Sequence, residues 1–375
     1  MTQSWNEIYE HSIRNTEELK TVFPLGEEEE KQIANIIDRY PLCVNPYYLS
    51  LIDRDDPDDP IRKMCIPDVK EFSLGGQADT SGEADNTVIC GMQHKYRQTA
   101  LILSTNQCAM YCRHCFRKRM VGASSDEVAS QLPVMADYIR SHKEINNVLI
   151  SGGDAFMNSN QTIEKYLRYF SDIPQLDFIR FGTRIPVVLP QRIYEDDELL
   201  TLLENYGTKK QIIIVTQFNH PRELTPEAVK AIRNLQDIGC VVRNQTVLLK
   251  GVNDNADVLA RLMNSLVAVG VIPYYIFQCR PVEGVKNQFQ VPLVRGSEIV
   301  ECAKEQMNGQ AKSVRYVFSH PTGKIEILGR IGRDQLLFKY HQAKYKQDQG
   351  RIFTLRAEED LCWIDKENDL GSNNP

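Results

Sequence analysis

Three thiols stand close together in the segment Cys108-Ala109-Met110-Tyr111-Cys112-Arg113-His114-Cys115. Thiolates are soft ligands, suited to iron–sulfur clusters or to zinc. Three of them can hold three irons of a cubane [4Fe–4S] cluster and leave the fourth iron open to a substrate or cofactor. A structural zinc site normally takes four protein ligands. His114 is the nearest fourth donor, but it lies between two of the cysteines, where reaching the same metal is awkward. The other cysteines of the ten, Cys43, Cys65, Cys90, Cys240, Cys279, Cys302 and Cys362, are scattered, and each reads as a small buried hydrophobe.

Such a loop needs a scaffold to hold it. The chain has 375 residues, enough for one large domain with additions at its ends. A 42% share of hydrophobic residues allows a substantial core, and 25% charged residues suit an ordinary soluble protein. A net charge of −6 supplies no global attraction to nucleic acid or to an anionic membrane. No apolar run is long enough to span a bilayer. The start, Met1-Thr2-Gln3-Ser4-Trp5-Asn6-Glu7, lacks the basic and apolar regions of a signal peptide, so a cytoplasmic location is expected. In that setting reduced thiols or metal ligands are expected rather than disulfides.

Residues 1–50 read as amphipathic helices, 53–60 as an acidic turn-rich stretch and 74–87 as a polar, Gly-rich loop. From residue 100 a rhythm begins. Short apolar runs at 100–104, 148–150, 178–181, 211–216, 241–248 and 274–278 alternate with helix-length segments. Thr225-Pro226-Glu227 supplies an N-cap followed by proline at the first helical position, and Asp254 is the expected cap of a helix through Val267. Alternating strands and helices predict a parallel sheet. The expectation is a partial (β/α)6 TIM-like barrel over 95–330, with an N-terminal helical and loop region over 1–94 and a short C-terminal appendage over 331–375. A doubly wound sheet is the open alternative. A hairpin is expected around Phe338 and 351–355, and disorder over 371–375. The cysteine triplet directly follows the first barrel strand, and in barrels the chemistry sits at the C-terminal ends of strands.

The Cys-x3-Cys-x2-Cys loop is similar to the signature of radical S-adenosylmethionine (SAM) enzymes, and residues from about 46 to 330 resemble the lysine 2,3-aminomutase family. The resemblance rests on Pro46-Tyr47-Tyr48-Leu49-Ser50-Leu51-Ile52-Asp53, Asp59-Pro60-Ile61-Arg62-Lys63 and Met110-Tyr111-Cys112-Arg113-His114-Cys115. It continues through Ser151-Gly152-Gly153-Asp154-Ala155, Thr183-Arg184-Ile185-Pro186-Val187-Val188-Leu189-Pro190-Gln191-Arg192, Phe218-Asn219-His220-Pro221, Asn244-Gln245 and Pro273-Tyr274-Tyr275-Ile276-Phe277-Gln278-Cys279.

The resemblance implies a [4Fe–4S] cluster on Cys108, Cys112 and Cys115, whose open iron takes the amino and carboxylate groups of S-adenosyl-L-methionine. It implies that Ser151, Gly152, Gly153 and Asp154 contact that cofactor, with glycines allowing close backbone approach. Gln245 matches a polar position near the cofactor, and Arg184 and Gln217 are weaker matches. Lys324 stands where family members carry the lysine that binds pyridoxal 5′-phosphate as a Schiff base, although only Gly323 is left of a longer glycine run. Lys95 or Arg97 would grip the phosphate of that cofactor, while a second family arginine is replaced by Thr99. Arg117, in the basic cluster Arg113, Arg117, Lys118 and Arg119, would bind the substrate α-carboxylate. From the residues alone that cluster reads as a solvated or nucleic-acid-facing patch. An electron donor such as flavodoxin or ferredoxin and a homo-oligomer are implied as well.

Two departures bear on the substrate. Lysine-specific members place two aspartates around the distal ammonium; here those positions are Arg280 and Ser319. An arginine would repel lysine and attract a carboxylate, so the substrate expected is a glutamate-like amino acid, converted from an α- to a β-amino acid. The alternatives are a radical SAM enzyme of another reaction type without pyridoxal phosphate, and a zinc- or nucleic-acid-binding module.

Overall fold

The computed structural model describes residues 4–73, 75–356 and 358–364. The expected disordered tail, 371–375, lies outside the described residues. The fold is mixed α/β and is built on one 12-stranded sheet whose strands pair in chain order. The strands are β1 (Thr87–Ile89), β2 (Met92–Tyr96), β3 (Thr99–Thr105), β4 (Asn147–Gly152), β5 (Phe178–Gly182), β6 (Gln211–Thr216), β7 (Val241–Leu248), β8 (Ile272–Gln278), β9 (Arg315–His320), β10 (Gly323–Ile331), β11 (Gln335–Ala343) and β12 (Ile352–Arg356). The run from β3 to β9 is parallel throughout, and the flanking strands are antiparallel. The six expected strands are β3 to β8; β9 extends the parallel run. The expected hairpin forms, with Phe338 opposite Phe353 and Leu336 opposite Leu355.

Helices Leu132–Ser141, Asn160–Ser171, Asp197–Gly207, Pro226–Asp237, Ala256–Ala268 and Leu293–Gln306 occupy the connections between successive parallel strands. Their apolar residues recur at helical spacing, as in Ala228, Ala231, Ile232 and Leu235, which are all buried. They pack in one core with the strand residues Val148, Ile150, Ile179, Phe181, Ile212, Ile214 and Val242. Full burial of each such side chain stabilises by about 1.5–3 kcal/mol. The alternate strand positions, among them Leu149, Ser151, Arg180, Gly182, Gln245 and Val247, face a cavity instead.

Thr225 caps its helix through Ala228 N–H, with Pro226 in the first turn, as expected. The next cap differs by one residue. Asn255, not Asp254, accepts from Asp257 and Val258 N–H, while Asp254 accepts from Gly251 N–H in the preceding turn. Cys90 and Cys302 are exposed, which corrects their reading as buried hydrophobes; Cys43, Cys65, Cys240 and Cys279 are buried. No helix among the described residues is long and apolar enough to cross a membrane.

Candidate active site

The cysteine loop leaves β3 at Thr105 and runs without a helix to Leu132. Two braces hold it. The first is the N-terminal region: Tyr111 N–H donates to Cys43 C=O and Arg113 N–H to Met64 C=O. The Arg113 guanidinium donates to the carbonyls of Tyr40 and Pro41 and to both carboxylate oxygens of Glu71, to which Lys118 Nζ also donates at 2.6 Å. The second brace is the loop after β4. Gly153 N–H donates to Thr105 C=O at 2.6 Å and Asp154 N–H to Gln107 C=O at 2.7 Å.

A Cβ on Gly152 would lie 2.3 Å from Thr105 O, and one on Gly153 would lie 2.3 Å from Gln107 O. Gly152 also has φ of +124°, in the region that favours glycine. Close backbone approach is therefore what these glycines permit, and the chain itself takes the space a side chain would need. Asp154 is buried and ties β4 to β5, accepting from Phe156 N–H, Thr183 Oγ1 and Arg184 N–H. Burial pushes its carboxyl up despite those donors.

One cavity of about 490 Å³ collects most of the expected residues. Cys108, Cys112, Cys115, Arg117, Ser151, Gly152, Gly153, Asp154, Arg184, Gln217, Gln245, Arg280, Lys95 and Lys324 all line it. Arg97 does not. It occupies the turn between β2 and β3, is exposed, and offers only its carbonyl, to His94.

The three thiols are free. Among the described residues no group of three or more His, Cys, Asp or Glu side chains is arranged to hold a metal ion. The donor set nevertheless suits a thiolate-held cluster: three cysteines on one short loop face one cavity, with Arg184 Nη1 donating to Cys112 Sγ at 2.9 Å. His114 suits the fourth-ligand role poorly. Its Nε2 accepts from the side-chain amides of Gln217 and Asn219, at 3.0 and 3.2 Å.

The basic cluster is not a surface patch. Arg113, Arg117 and Lys118 are 1%, 6% and 4% exposed. Arg117 Nε donates to Glu83 at 2.8 Å and Nη1 donates to Gly152 C=O at 3.4 Å, while Arg119 bridges Glu83 and Glu127. Burial would raise the Glu83 carboxyl, but the Arg117 and Arg119 guanidiniums hold it at about 2. Arg280 Nη1 donates to Ser81 Oγ, and its guanidinium lies 4.2 Å from the Phe116 ring centre.

Lys324 is the second residue of β10, pairing with Ser319 on β9 and Gln342 on β11. Its Nζ lies over the rings of Tyr96 and Tyr275 and donates to Gln342 Oε1 at 3.4 Å. Burial, with help from Arg180 and Arg280, lowers its ammonium to about 7. Lys95 Nζ donates to His320 C=O at 2.6 Å, and burial with Arg280 and Lys324 lowers it to about 7 as well.

Sequence reasoning missed Glu71, Glu83 and Arg180. The acids lie in short helical turns, Val69–Phe72 and Glu83–Asn86, too brief to show an apolar periodicity. Arg180 did leave a signal: it interrupts the apolar strand Phe178-Ile179-Arg180-Phe181.

The sequence matches the Radical SAM superfamily over residues 102–263. The L-lysine 2,3-aminomutase of Clostridium subterminale is 39% identical over 90% of this chain and 78% of its own. That of Acetoanaerobium sticklandii is 38% identical over 90% of this chain and 80% of its own. The glutamate 2,3-aminomutase of Clostridioides difficile (strain 630) is 35% identical over 86% of this chain and 76% of its own.

Proposed function

Because this chain belongs to the lysine 2,3-aminomutase family of radical SAM enzymes, we propose that it moves the amino group of an acidic, glutamate-like α-amino acid from C2 to C3. It is an isomerase acting on an amino acid, and its family implies a [4Fe–4S] cluster and SAM. The observation that carries the proposal is the single cavity that joins the cysteine loop, the glycine loop, Lys324 and a cationic wall.

In this reading Cys108, Cys112 and Cys115 hold the cluster. The segment Ser151 to Asp154, with Gln245 and Arg184, would bind SAM. Lys324 holds pyridoxal phosphate, with Lys95 near its phosphate; exposed Arg97 has no part. When bound, these groups supply hydrogen-atom abstraction and an electron-accepting ring. The protein binds, orients and excludes water. Arg117 has five N–H donors, more than Glu83 and Gly152 take up, so it can also receive an α-carboxylate. Arg280 receives the distal carboxylate of the substrate. Lys324, with its amine near neutrality, can release the proton that its attachment to the cofactor requires. A one-electron donor such as flavodoxin or ferredoxin is the partner this chemistry needs.

We read the sheet as a partial barrel over 95–330, with 1–94 as its brace and 331–375 as an appendage. Support comes from inward side chains of β3, β4, β5, β7, β8 and β10 meeting around one cavity. The test is turnover of acidic, neutral and basic amino acids by anaerobically purified, iron-loaded protein with SAM and pyridoxal phosphate. Conversion of glutamate-like substrates to β-amino acids is expected. Preference for lysine would refute the acidic assignment, and zinc without iron in the purified protein would refute the cluster.

A further inference from the structure

Among the described residues, Arg180, which lines the cavity, and Arg243, on the neighbouring part of the sheet, form no ion pair with an acid. Arg180 on β5 lines the cavity between Phe178 and Gly182, which line it too. Arg243 on β7 lies two residues before cavity-lining Gln245, hence on the same strand face. Arg180 Nη2 donates to Asn147 Oδ1 at 2.5 Å, and Thr99 Oγ1 donates to the same oxygen at 3.2 Å. The Nε atoms of Arg180 and Arg243 are both buried and have no hydrogen-bond partner.

Tyrosines and further cations fill the surroundings. The Arg243 guanidinium lies 5.1 Å from the Tyr274 ring centre, and Lys324 Nζ lies 5.2 Å from that of Tyr275. Burial and the nearby Arg243 lower the Arg180 guanidinium from its ordinary value, and burial and Arg180 lower Lys324. A guanidinium whose buried Nε has no acceptor is better satisfied by an anion than by neutral neighbours. A carboxylate would occupy one guanidinium fork. A phosphate monoester offers three terminal oxygens and about −1.5 to −2 charges, which two forks and a hydroxyl can share.

We propose that Arg180 and Arg243, with the Thr99 hydroxyl, form a phosphate-binding pole of the cavity that holds a phosphate monoester whose other end reaches Lys324. This assignment rests on the pyridoxal phosphate reading above and names residues that grip the phosphate in addition to Lys95. It also accounts for Thr99: the charge expected there comes instead from β5 and β7.

The test uses anaerobically purified, cluster-loaded protein and three probes: pyridoxal phosphate, pyridoxal, and inorganic phosphate. Arg180→Gln and Arg243→Gln should each weaken uptake of pyridoxal phosphate roughly ten- to hundredfold, as expected for one lost hydrogen bond to a charged group. Uptake of pyridoxal should not change. Arg180→Lys, which keeps the charge but not the fork, should give an intermediate affinity and guards against a misfolded glutamine variant. Unchanged pyridoxal phosphate affinity in both glutamine variants overturns the pole, as does equal weakening for both pyridoxal compounds. Inorganic phosphate judges the pole independently of the cofactor reading. It should raise the Tm of the wild type and not that of Arg243→Gln, and an equal rise in both overturns the proposal. If the wild type takes up neither pyridoxal compound, the cofactor reading fails, and the phosphate melt alone decides the pole.

Discussion

An amine that reacts as a nucleophile must first lose its proton, and the surroundings of Lys324 favour that loss. Its ordinary value of 10.5 falls to about 7, so the neutral form dominates above about 7 in the folded chain. Covalent trapping of pyridoxal phosphate by borohydride should therefore rise as pH increases through about 7. A rise only near 10.5 would show that the amine is not desolvated. Lys324→Arg should abolish the trapped adduct, which peptide mapping places. Arg280 is the residue proposed to select the substrate. Its partners in the free protein are the Ser81 hydroxyl and the charge of Glu83, and it lies in the same cavity as Lys324. Breaking a desolvated charge pair on one side costs about 2–5 kcal/mol. Arg280→Asp should lose most turnover of glutamate-like substrates and gain none on lysine, because Ser319 still lacks a carboxylate. A substrate profile identical to wild type would remove Arg280 as selector.

Elements enter where one loop sets the position of another. The bonds from Gly153 and Asp154 to Thr105 and Gln107 extend the β3–β4 pairing into the root of the cysteine loop. A methyl group on Gly153 would meet Gln107 O at 2.3 Å, and the obstacle is backbone, which cannot swing aside. Gly153→Ala should therefore cost about 1–3 kcal/mol by overpacking. It should also lower bound iron per chain, measured after anaerobic reconstitution. Normal iron with normal stability would show that the two loops are not coupled. Asn255→Ala provides the contrast. Loss of a helix cap costs about 1 kcal/mol, and SAM cleavage should persist because that cap lies away from the cavity.

At the scale of the molecule, buried ion pairs join the N-terminal region to the sheet. Glu71 and Glu83, both from the first 86 residues, neutralise Arg113, Lys118, Arg117 and Arg119 of the cysteine loop. Removing one partner of a buried pair typically costs about 3–5 kcal/mol, because the other charge stays buried. Glu71→Gln should show a loss of that size in denaturant melts; a change under about 1 kcal/mol, the range of exposed pairs, would contradict the burial argument. The acid limb follows from Glu83. Its folded value of about 2 lies below the ordinary 4.5, so its stabilisation is present above 4.5 and is lost as pH falls toward 2. Glu83→Gln should flatten that part of the stability–pH curve, and an unaltered curve would reassign the acid sensitivity elsewhere.

Local chemistry was legible in the sequence. The Cys108, Cys112, Cys115 spacing, the glycine pair at 152 and 153, the Thr225 cap and six strand-and-helix units could all be read, because each is a short-range pattern of spacing or propensity. Arg184, Gln245, Lys324 and Arg280 are far apart along the chain, and only the sheet brings them to one cavity. Tertiary structure also turned the basic cluster inward, since burial depends on Glu71 and Glu83, whose own segments carry no periodic signal. It put Arg97 into solvent, on the turn between β2 and β3. It placed Arg180 and Arg243 near each other from strands more than 50 residues apart, a proximity that no local pattern encodes.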